Sequence, residues 1–319
     1  MGRRLFIFPV FPALVAMYLP FCTSEVRLTT TPLDAPPARL WEEPANLANR
    51  DLFNGPWGPA LAPDPTDRYS LVQRKHTGVN PGLTVRDSKG REWSVKQPFE
   101  ASANEAPVEV VMSRVLSAVG YHQPPVYYLP RFTLVDDWGS HVEPGGRFRL
   151  KIKALKDRGE WSWQQNPFVG SEPYQGLLVI LMLFNSSDLK NNNNTLYEYR
   201  SVNGIEHWYV TRDVGTALGT TGRFVPEKGR PGAFERDPFI LGVRNGFVEF
   251  DYGGWHQELV RGRITPADAR WAADLLGRLS DRQWRDAFRA GGFSEPIAAR
   301  FVGALRRRID EARSLEPQS

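Results

Sequence analysis

The sequence has few of the residues that build metal clusters or disulfide frameworks. Its 319 residues include one cysteine, Cys22, and five histidines. A single cysteine excludes an internal disulfide and a Cys-x-x-Cys metal site. The histidines show neither His-Glu-x-x-His nor His-x-His spacing, which argues against a zinc hydrolase. Gly-x-Ser-x-Gly, Gly-x-x-x-x-Gly-Lys-Ser/Thr and Gly-x-Gly-x-x-Gly are also missing, so the patterns of α/β-hydrolases, P-loop proteins and Rossmann folds are absent.

Charge of one sign is not concentrated anywhere in the chain. Charged residues make up 24% of the sequence, the formal net charge is +4, and the pI is near 9.2. Acidic and basic residues are interspersed, which is typical of a solvated surface. We therefore expect no nucleic-acid partner, whereas an anionic substrate is compatible with the mild basic balance. The apolar content of 41% is enough for a sizeable core.

Residues 1–24 have the pattern of an export signal. Arg3 and Arg4 precede a run without charge from residue 5 to 21, and small residues follow at 23 and 24. The run is short for a membrane span and contains three prolines, so a cleaved signal is favoured over an anchor. A lipoprotein is the third option, but Phe21 stands where a small residue is usual. We expect an exported protein, periplasmic or secreted, which contacts a membrane only if the signal stays uncleaved.

Residues 25–68 are rich in proline and show no sustained periodicity. They are interpreted as a tether. A set of large apolar residues within this range could nevertheless dock onto the folded part, namely Trp41, Leu52, Phe53 and Trp57.

The pattern changes to strands and turns from Tyr69. Residues 83–86 and 92–96 flank Asp-Ser-Lys-Gly and predict a hairpin in which Lys96 ends a strand. Residues 104–119 carry an apolar stripe at helical spacing. Gly78 and Gly82 lie in a Pro-containing turn that could cover a phosphate or be a tight turn only.

Farther along the chain, residues 171–184 predict a buried helix that supports the loop over residues 185–194, Asn-Ser-Ser-Asp-Leu-Lys-Asn-Asn-Asn-Asn. A second hairpin over residues 195–211 leads directly into Asp213. The tail predicts three helices that begin at Thr265, Ser280 and Ser294. The hairpin would bring Asn193 and Asp213 to one end, which is what two ligands of one cation require.

The loop and Asp213 together resemble the catalytic motifs of protein kinases. Asp188-Leu189-Lys190-x-x-Asn193 is similar to the kinase Asp-Leu-Lys-x-x-Asn, and Asp213-Val214-Gly215 resembles Asp-Phe-Gly. The order of elements looks like that of atypical kinases such as HipA, the phosphatidylinositol kinases and the secretory-pathway casein kinases. The resemblance implies a two-lobed, α+β protein-kinase-like fold. Its small N-lobe, an antiparallel sheet with one helix, would span residues 69–156, and its larger, mainly helical C-lobe residues 157–319.

The resemblance also implies a role for each matched residue. Lys96 would hold the α- and β-phosphates of ATP, and a glutamate of the following helix would position it. We prefer Glu109 for that glutamate, with Glu105 and Glu100 as alternatives. Asp188 would accept the proton of the acceptor hydroxyl, and Lys190 would steady the γ-phosphate. Asn193 and Asp213 would hold Mg²⁺ or Mn²⁺, and Gly78 with Gly82 would cover the phosphates.

The motifs also depart from the kinase pattern. Ser186 and Ser187 stand where protein kinases have His-Arg, Val214 replaces Phe, and no Ala-Pro-Glu is present. The favoured interpretation is a phosphotransferase that acts on a hydroxyl of a protein, lipid or sugar. The alternative is an exported kinase-fold pseudoenzyme that acts as a binding or scaffold module. An unrelated α+β envelope protein with a chance motif is the third possibility.

Overall fold

A computed structural model describes residues 36–75, 82–98, 104–221 and 227–316. Its first half is rich in strands and its last part is mainly helical, which confirms the predicted α+β class. The predicted signal in residues 1–24 lies outside the described residues. None of the helices in the described ranges is both long and apolar enough to cross a bilayer.

Five strands of the first half close into a barrel with the order β2-β3-β4-β6-β5. The strands are β2 (Arg68–Lys75), β3 (Gly82–Arg86), β4 (Glu92–Lys96), β5 (Val126–Asp136) and β6 (Gly139–Leu150), and a two-residue strand β1 (Ala38–Arg39) precedes them. Side chains alternate across each strand, so Trp93, Val95 and Phe148 fill the barrel as part of its own core. Lys96, which follows Val95, therefore points away from that core.

One helix, α1 (Glu105–Ala118), connects β4 to β5 and matches the predicted helix over residues 104–119. Its apolar residues Val108, Val111 and Val115 are completely buried, but in the core of the helical part rather than in the barrel. The helix stops before Gly120, whose φ of +103° suits glycine. The predicted division of the chain between residues 156 and 157 stays a prediction.

A second sheet has the order β1-β9-β8-β7, with β7 (Leu155–Asp157), β8 (Asn194–Ser201) and β9 (Gly204–Thr211). The β8–β9 hairpin is the one that the sequence predicts. Helix α2 (Glu172–Leu183) precedes it and is apolar on all sides because it lies inside the large core.

The remaining elements are helical apart from one hairpin. They are α3 (Pro231–Arg236), β10 (Ile240–Arg244), β11 (Phe247–Phe250), α4 (Pro266–Gly277), α5 (Asp281–Ala290) and α6 (Glu295–Arg313). The three predicted tail helices are confirmed as α4, α5 and α6. The side chains of Thr265 and Ser280 cap α4 and α5 in capping boxes, which explains where these helices begin.

Residues 36–68 of the predicted tether pack on the fold, which is the docking that the sequence left open. The bounds of the tether stay a prediction. Leu40, Leu47 and Leu52 are nearly inaccessible members of the large core. Arg50 Nη1 donates to Ser117 O at 2.7 Å, and Gln283 Nε2 donates to Leu47 O at 2.8 Å. Scattered prolines prevent periodic structure, but they do not prevent apolar side chains from docking through contacts distant in sequence.

The docking of this segment predicts a loss of stability on truncation of Leu52. Because the side chain is 1% exposed, Leu52→Ala should lower the free energy of unfolding by about 2–5 kcal/mol, the range for buried leucines. Urea unfolding measures the change. The matched control is Leu241→Ala, since Leu241 is 62% exposed. Equal, small effects of both substitutions would contradict the docking.

Candidate active site

Lys96 ends β4 beside the first turns of α1. Its Nζ lies 3.2 Å from Glu105 Oε2 and 3.7 Å from Glu109 Oε2. The two glutamates are one helical turn apart and share a face, so both reach the lysine. The structure thus brings the preferred Glu109 to Lys96, but Glu105 is nearer. Glu100, the other alternative, lies outside the described residues.

Each glutamate also has a second cation as partner. Glu109 Oε1 lies 2.9 Å from Arg147 Nε, and Glu105 pairs with Lys228. Both glutamates and Arg147 are buried, and charges in such places need partners. The cluster therefore links the barrel, α1 and the segment around Lys228 through buried ion pairs.

The loop after α2 brings Asp188, Lys190 and Asn193 together. Lys190 Nζ lies 2.9 Å from Asp188 Oδ1, and Asn193 Nδ2 donates to the carbonyl oxygen of Asp188 at 2.7 Å. The loop starts from a fixed point, because the buried Arg308 donates to Asn185 Oδ1 at 2.6 Å and to Leu183 O at 2.9 Å. A carboxylate and a cation are thus held next to each other at the loop.

Asp213 follows β9 and lies next to the loop. Arg212 N donates to Asn193 O at 2.8 Å, directly beyond the last β8–β9 pair. Asp213 has a left-handed backbone with φ of +52°, a conformation that aspartate tolerates better than most residues. Its Oδ1 lies 3.9 Å from both Lys96 Nζ and Arg147 Nη2. The structure therefore brings Lys96 to Asp213, and it joins Asn193 to the residue before Asp213 through the backbone.

Opposite charges set the protonation of the cleft residues. Burial by itself would lower the pKa of Lys96, but Glu109, Asp213 and Glu105 outweigh it and raise that pKa. Burial would likewise raise the pKa of Asp213, but Lys96 and Arg147 outweigh it and lower that pKa. Lys96 is therefore a cation and Asp213 an anion at neutral pH.

Of the two glycines that the sequence predicts near the phosphates, only one lies among the described residues. Gly78 lies outside the described residues. Gly82 begins β3, between Lys75 on one neighbouring strand and Lys96 on the other. Gly82 is therefore the first residue of a strand, and its part in covering a phosphate stays a prediction.

Asn193 and Asp213 suit a magnesium or manganese ion by the chemistry of their donors. The amide nitrogen of Asn193 donates to Asp188 O, so the amide oxygen is the atom left for a cation. Magnesium takes oxygen ligands and is commonly bound by one or two protein groups together with substrate phosphates. In the described ranges no group of three or more His, Cys, Asp or Glu residues could hold a metal.

Several residues of the cleft were missed by sequence reasoning. On β6, Arg147 and Arg149 pair in register with Lys96 and Ser94, so their side chains share the face of Lys96. The Arg-Phe-Arg alternation around the core residue Phe148 was the available signal. Trp255 was also missed. Lys190 Nζ lies over its ring, 4.6 Å from the ring centroid.

No protein-family model matches the sequence, and no curated protein matches it either. Solved structures do match, among them three at low identity. A proinflammatory kinase of Helicobacter pylori, CtkA, is 13% identical, with 79% of this chain and 100% of that chain covered and a TM-score of 0.41. The Rio2 kinase of Chaetomium thermophilum is 15% identical, with 76% and 72% covered and a TM-score of 0.34. A Golgi casein kinase is 11% identical, with 80% and 73% covered and a TM-score of 0.39.

The fold is kinase-like. TM-scores of this size do not establish it, and the assignment rests on the chain's own arrangement. A five-stranded barrel carries Lys96, the next helix supplies its glutamates, and the β8–β9 hairpin joins Asn193 to Asp213. This is the order of elements that the sequence predicts.

The close approach of Gly215 to α1 predicts that a methyl group disturbs the cleft. A Cβ at residue 215 would lie 2.5 Å from the carbonyl oxygen of Glu105, which is backbone and cannot move freely. Gly215→Ala should therefore lower the free energy of unfolding by about 1–3 kcal/mol, and it should shift Asp213 away from Lys96. Urea unfolding tests the first effect, and nucleotide titration tests the second.

The matched control is Gly303→Ala in α6, where the nearest atom to an added Cβ is the flexible end of Arg307 at 3.8 Å. Alanine favours a helix over glycine by up to about 1 kcal/mol, so this control should be as stable as the wild type or more so. If Gly215→Ala is equally harmless, the close packing of residue 215 on α1 is wrong.

Proposed function

We propose that the protein is a phosphotransferase that uses ATP with Mg²⁺ or Mn²⁺ and transfers the γ-phosphoryl group to a hydroxyl. The observation that carries the proposal is the position of Lys96, which lies within 4 Å of Glu105, Glu109 and Asp213 at once. A lysine paired with a helix glutamate next to a metal-binding aspartate is the arrangement that phosphoryl transfer needs. Export of the protein, inferred from residues 1–24, remains part of the proposal.

The residues around Lys96 have different roles in the transfer. Lys96 binds phosphate oxygens, and Glu105 and Glu109 hold its ammonium group in place. Asn193 and Asp213 bind the cation, which neutralises charge on the phosphates when it is bound. These groups would hold the triphosphate, and the phosphoryl group would be transferred at the loop that carries Asp188.

Asp188 and Lys190 act on the acceptor side. The acceptor oxygen forms a bond to the γ-phosphorus while the bond from that phosphorus to the bridging oxygen of the nucleotide breaks, and ADP leaves. The proton of the acceptor hydroxyl passes to the carboxylate of Asp188. Lys190, 2.9 Å from Asp188, offers its charge to the transferred group. We propose a hydroxyl of a protein, lipid or sugar as the acceptor.

Nucleotide binding and transfer should separate in two aspartate variants. Mg²⁺ with ATP should raise the melting temperature of the wild type, because a ligand present at 100 times its Kd adds about 2.7 kcal/mol to the folded state. Asp213→Ala should abolish this metal-dependent shift. Asp188→Ala should keep the shift and lose transfer by about 10²–10⁴-fold, the usual contribution of a general base. Transfer is measured with labelled ATP against lysate, lipid and sugar pools.

The matched control is Asp310→Ala, because Asp310 is exposed on α6, away from the cleft. It should keep both the shift and the transfer. Absence of any nucleotide-dependent shift in the wild type would refute the proposal. Binding without transfer to any pool would favour the pseudoenzyme, a binding module that keeps the cleft.

A further inference from the structure

The cleft contains more positive charge than its carboxylates compensate. Lys75, at the end of β2, and Arg149, on β6, join Lys96, Arg147 and Arg212 around Asp213. Lys75 Nζ lies 3.4 Å from Ser94 Oγ, and Ser94 pairs in register with Arg149. Lys75 and Arg149 therefore flank the same serine.

Three of the five cations have carboxylate partners. Lys96 pairs with Glu105 and Glu109. The other two pairs join Arg147 to Glu109 at 2.9 Å and Arg212 to Asp157 at 3.6 Å. Asp213 also lies within ion-pair distance of Lys96 and Arg147. No other carboxylate of the described residues lies within that distance of any of the five cations.

Lys75 and Arg149 have no such partner among the described residues. Arg149 Nη1 is inaccessible to solvent and makes no hydrogen bond there. Burial would lower the pKa of Arg149, but Tyr197 and Asp213 outweigh it at longer range, so the guanidinium stays charged. A buried charged donor without an acceptor is costly, which is the situation that a bound anion relieves.

The neighbouring cations affect each other. Lys75 is exposed, but part of it is screened from water, and its pKa is lowered first by that partial burial and then by Arg149 and Arg147. An anion between them would reverse this repulsion, and arginine in particular matches phosphate oxygens with two parallel donors.

We propose that Lys75 and Arg149 form an anion-binding subsite for a phosphate or pyrophosphate group, separate from the cation ligands Asn193 and Asp213. Residues two apart on a strand are about 7 Å apart, so Arg149 lies about that far from Arg147 along β6, toward β7. The assignment of this anion to a substrate of the reaction rests on the proposed function, whereas anion binding itself does not.

Titration of the protein with sodium pyrophosphate in EDTA tests the subsite by calorimetry. Arg149→Gln and Lys75→Gln should each weaken binding at least tenfold, and Arg149→Lys should restore part of it because the charge returns. Asp213→Ala should bind pyrophosphate as well as the wild type or better, since a nearby carboxylate is gone. The matched control is Arg282→Gln, at a side chain that is 88% exposed, and it should change nothing.

Wild-type affinity in Arg149→Gln and Lys75→Gln would overturn the subsite. Lys75 is exposed, so Lys75→Gln tests it even if Arg149→Gln fails to fold. No wild-type binding of pyrophosphate would overturn it as well.

A second pair of titrations, both in saturating Mg²⁺ and with or without saturating ADP, identifies the source of the anion. If ADP leaves pyrophosphate binding unchanged, the subsite stands and belongs to an anionic acceptor. If ADP competes with pyrophosphate, the subsite stands and belongs to the phosphate chain of the nucleotide. If nucleotide never binds but pyrophosphate binding still depends on Arg149, the subsite stands and the proposed phosphotransferase fails.

Discussion

A buried ion-pair cluster around Lys96 joins the barrel to the rest of the molecule. Two cations of the barrel, Lys96 and Arg147, face two glutamates of α1. Removal of one member would leave an uncompensated charge out of water, which typically costs several kcal/mol. The barrel and α1 belong to different apolar cores, so the ion pairs connect two elements that share no apolar cluster. Asp213 reaches the cluster from a third element and completes the cleft.

Close backbone contact holds Asp213 in that position. The segment after β9 passes so near to α1 that residue 215 has no room for a side chain beyond hydrogen. Leu218 N donates to Phe184 O at 2.8 Å, and Ser187 N donates to Thr216 O at 3.2 Å. The segment that carries Asp213 is therefore tied on one side to α1 and on the other to the loop that carries Asp188. Such mutual support is what a preorganised site requires.

The sequence was informative where the causes of structure are local. Capping residues and apolar periodicity predicted α1, α2 and the tail helices, and the alternation of β4 placed Lys96 on the face away from the barrel core. Spacing alone could not decide between Glu105 and Glu109, because residues one turn apart occupy the same face. The role of Arg147 depends on the register between β4 and β6. The docking of residues 36–68 likewise depends on partners far along the chain, which no local pattern reveals.

The departures from the kinase motifs have structural substitutes in this chain. Ser187, where the resemblance expects arginine, is held through its backbone, since its carbonyl oxygen accepts from Trp255 N at 2.9 Å and from Tyr252 Oη at 3.3 Å. Val214, in place of phenylalanine, follows Asp213 directly and is buried in the large core. Main-chain hydrogen bonds and one apolar contact thus hold these two positions of the chain. For that reason the replacement of the kinase His-Arg and Phe in this chain does not by itself argue against the proposed nucleotide site.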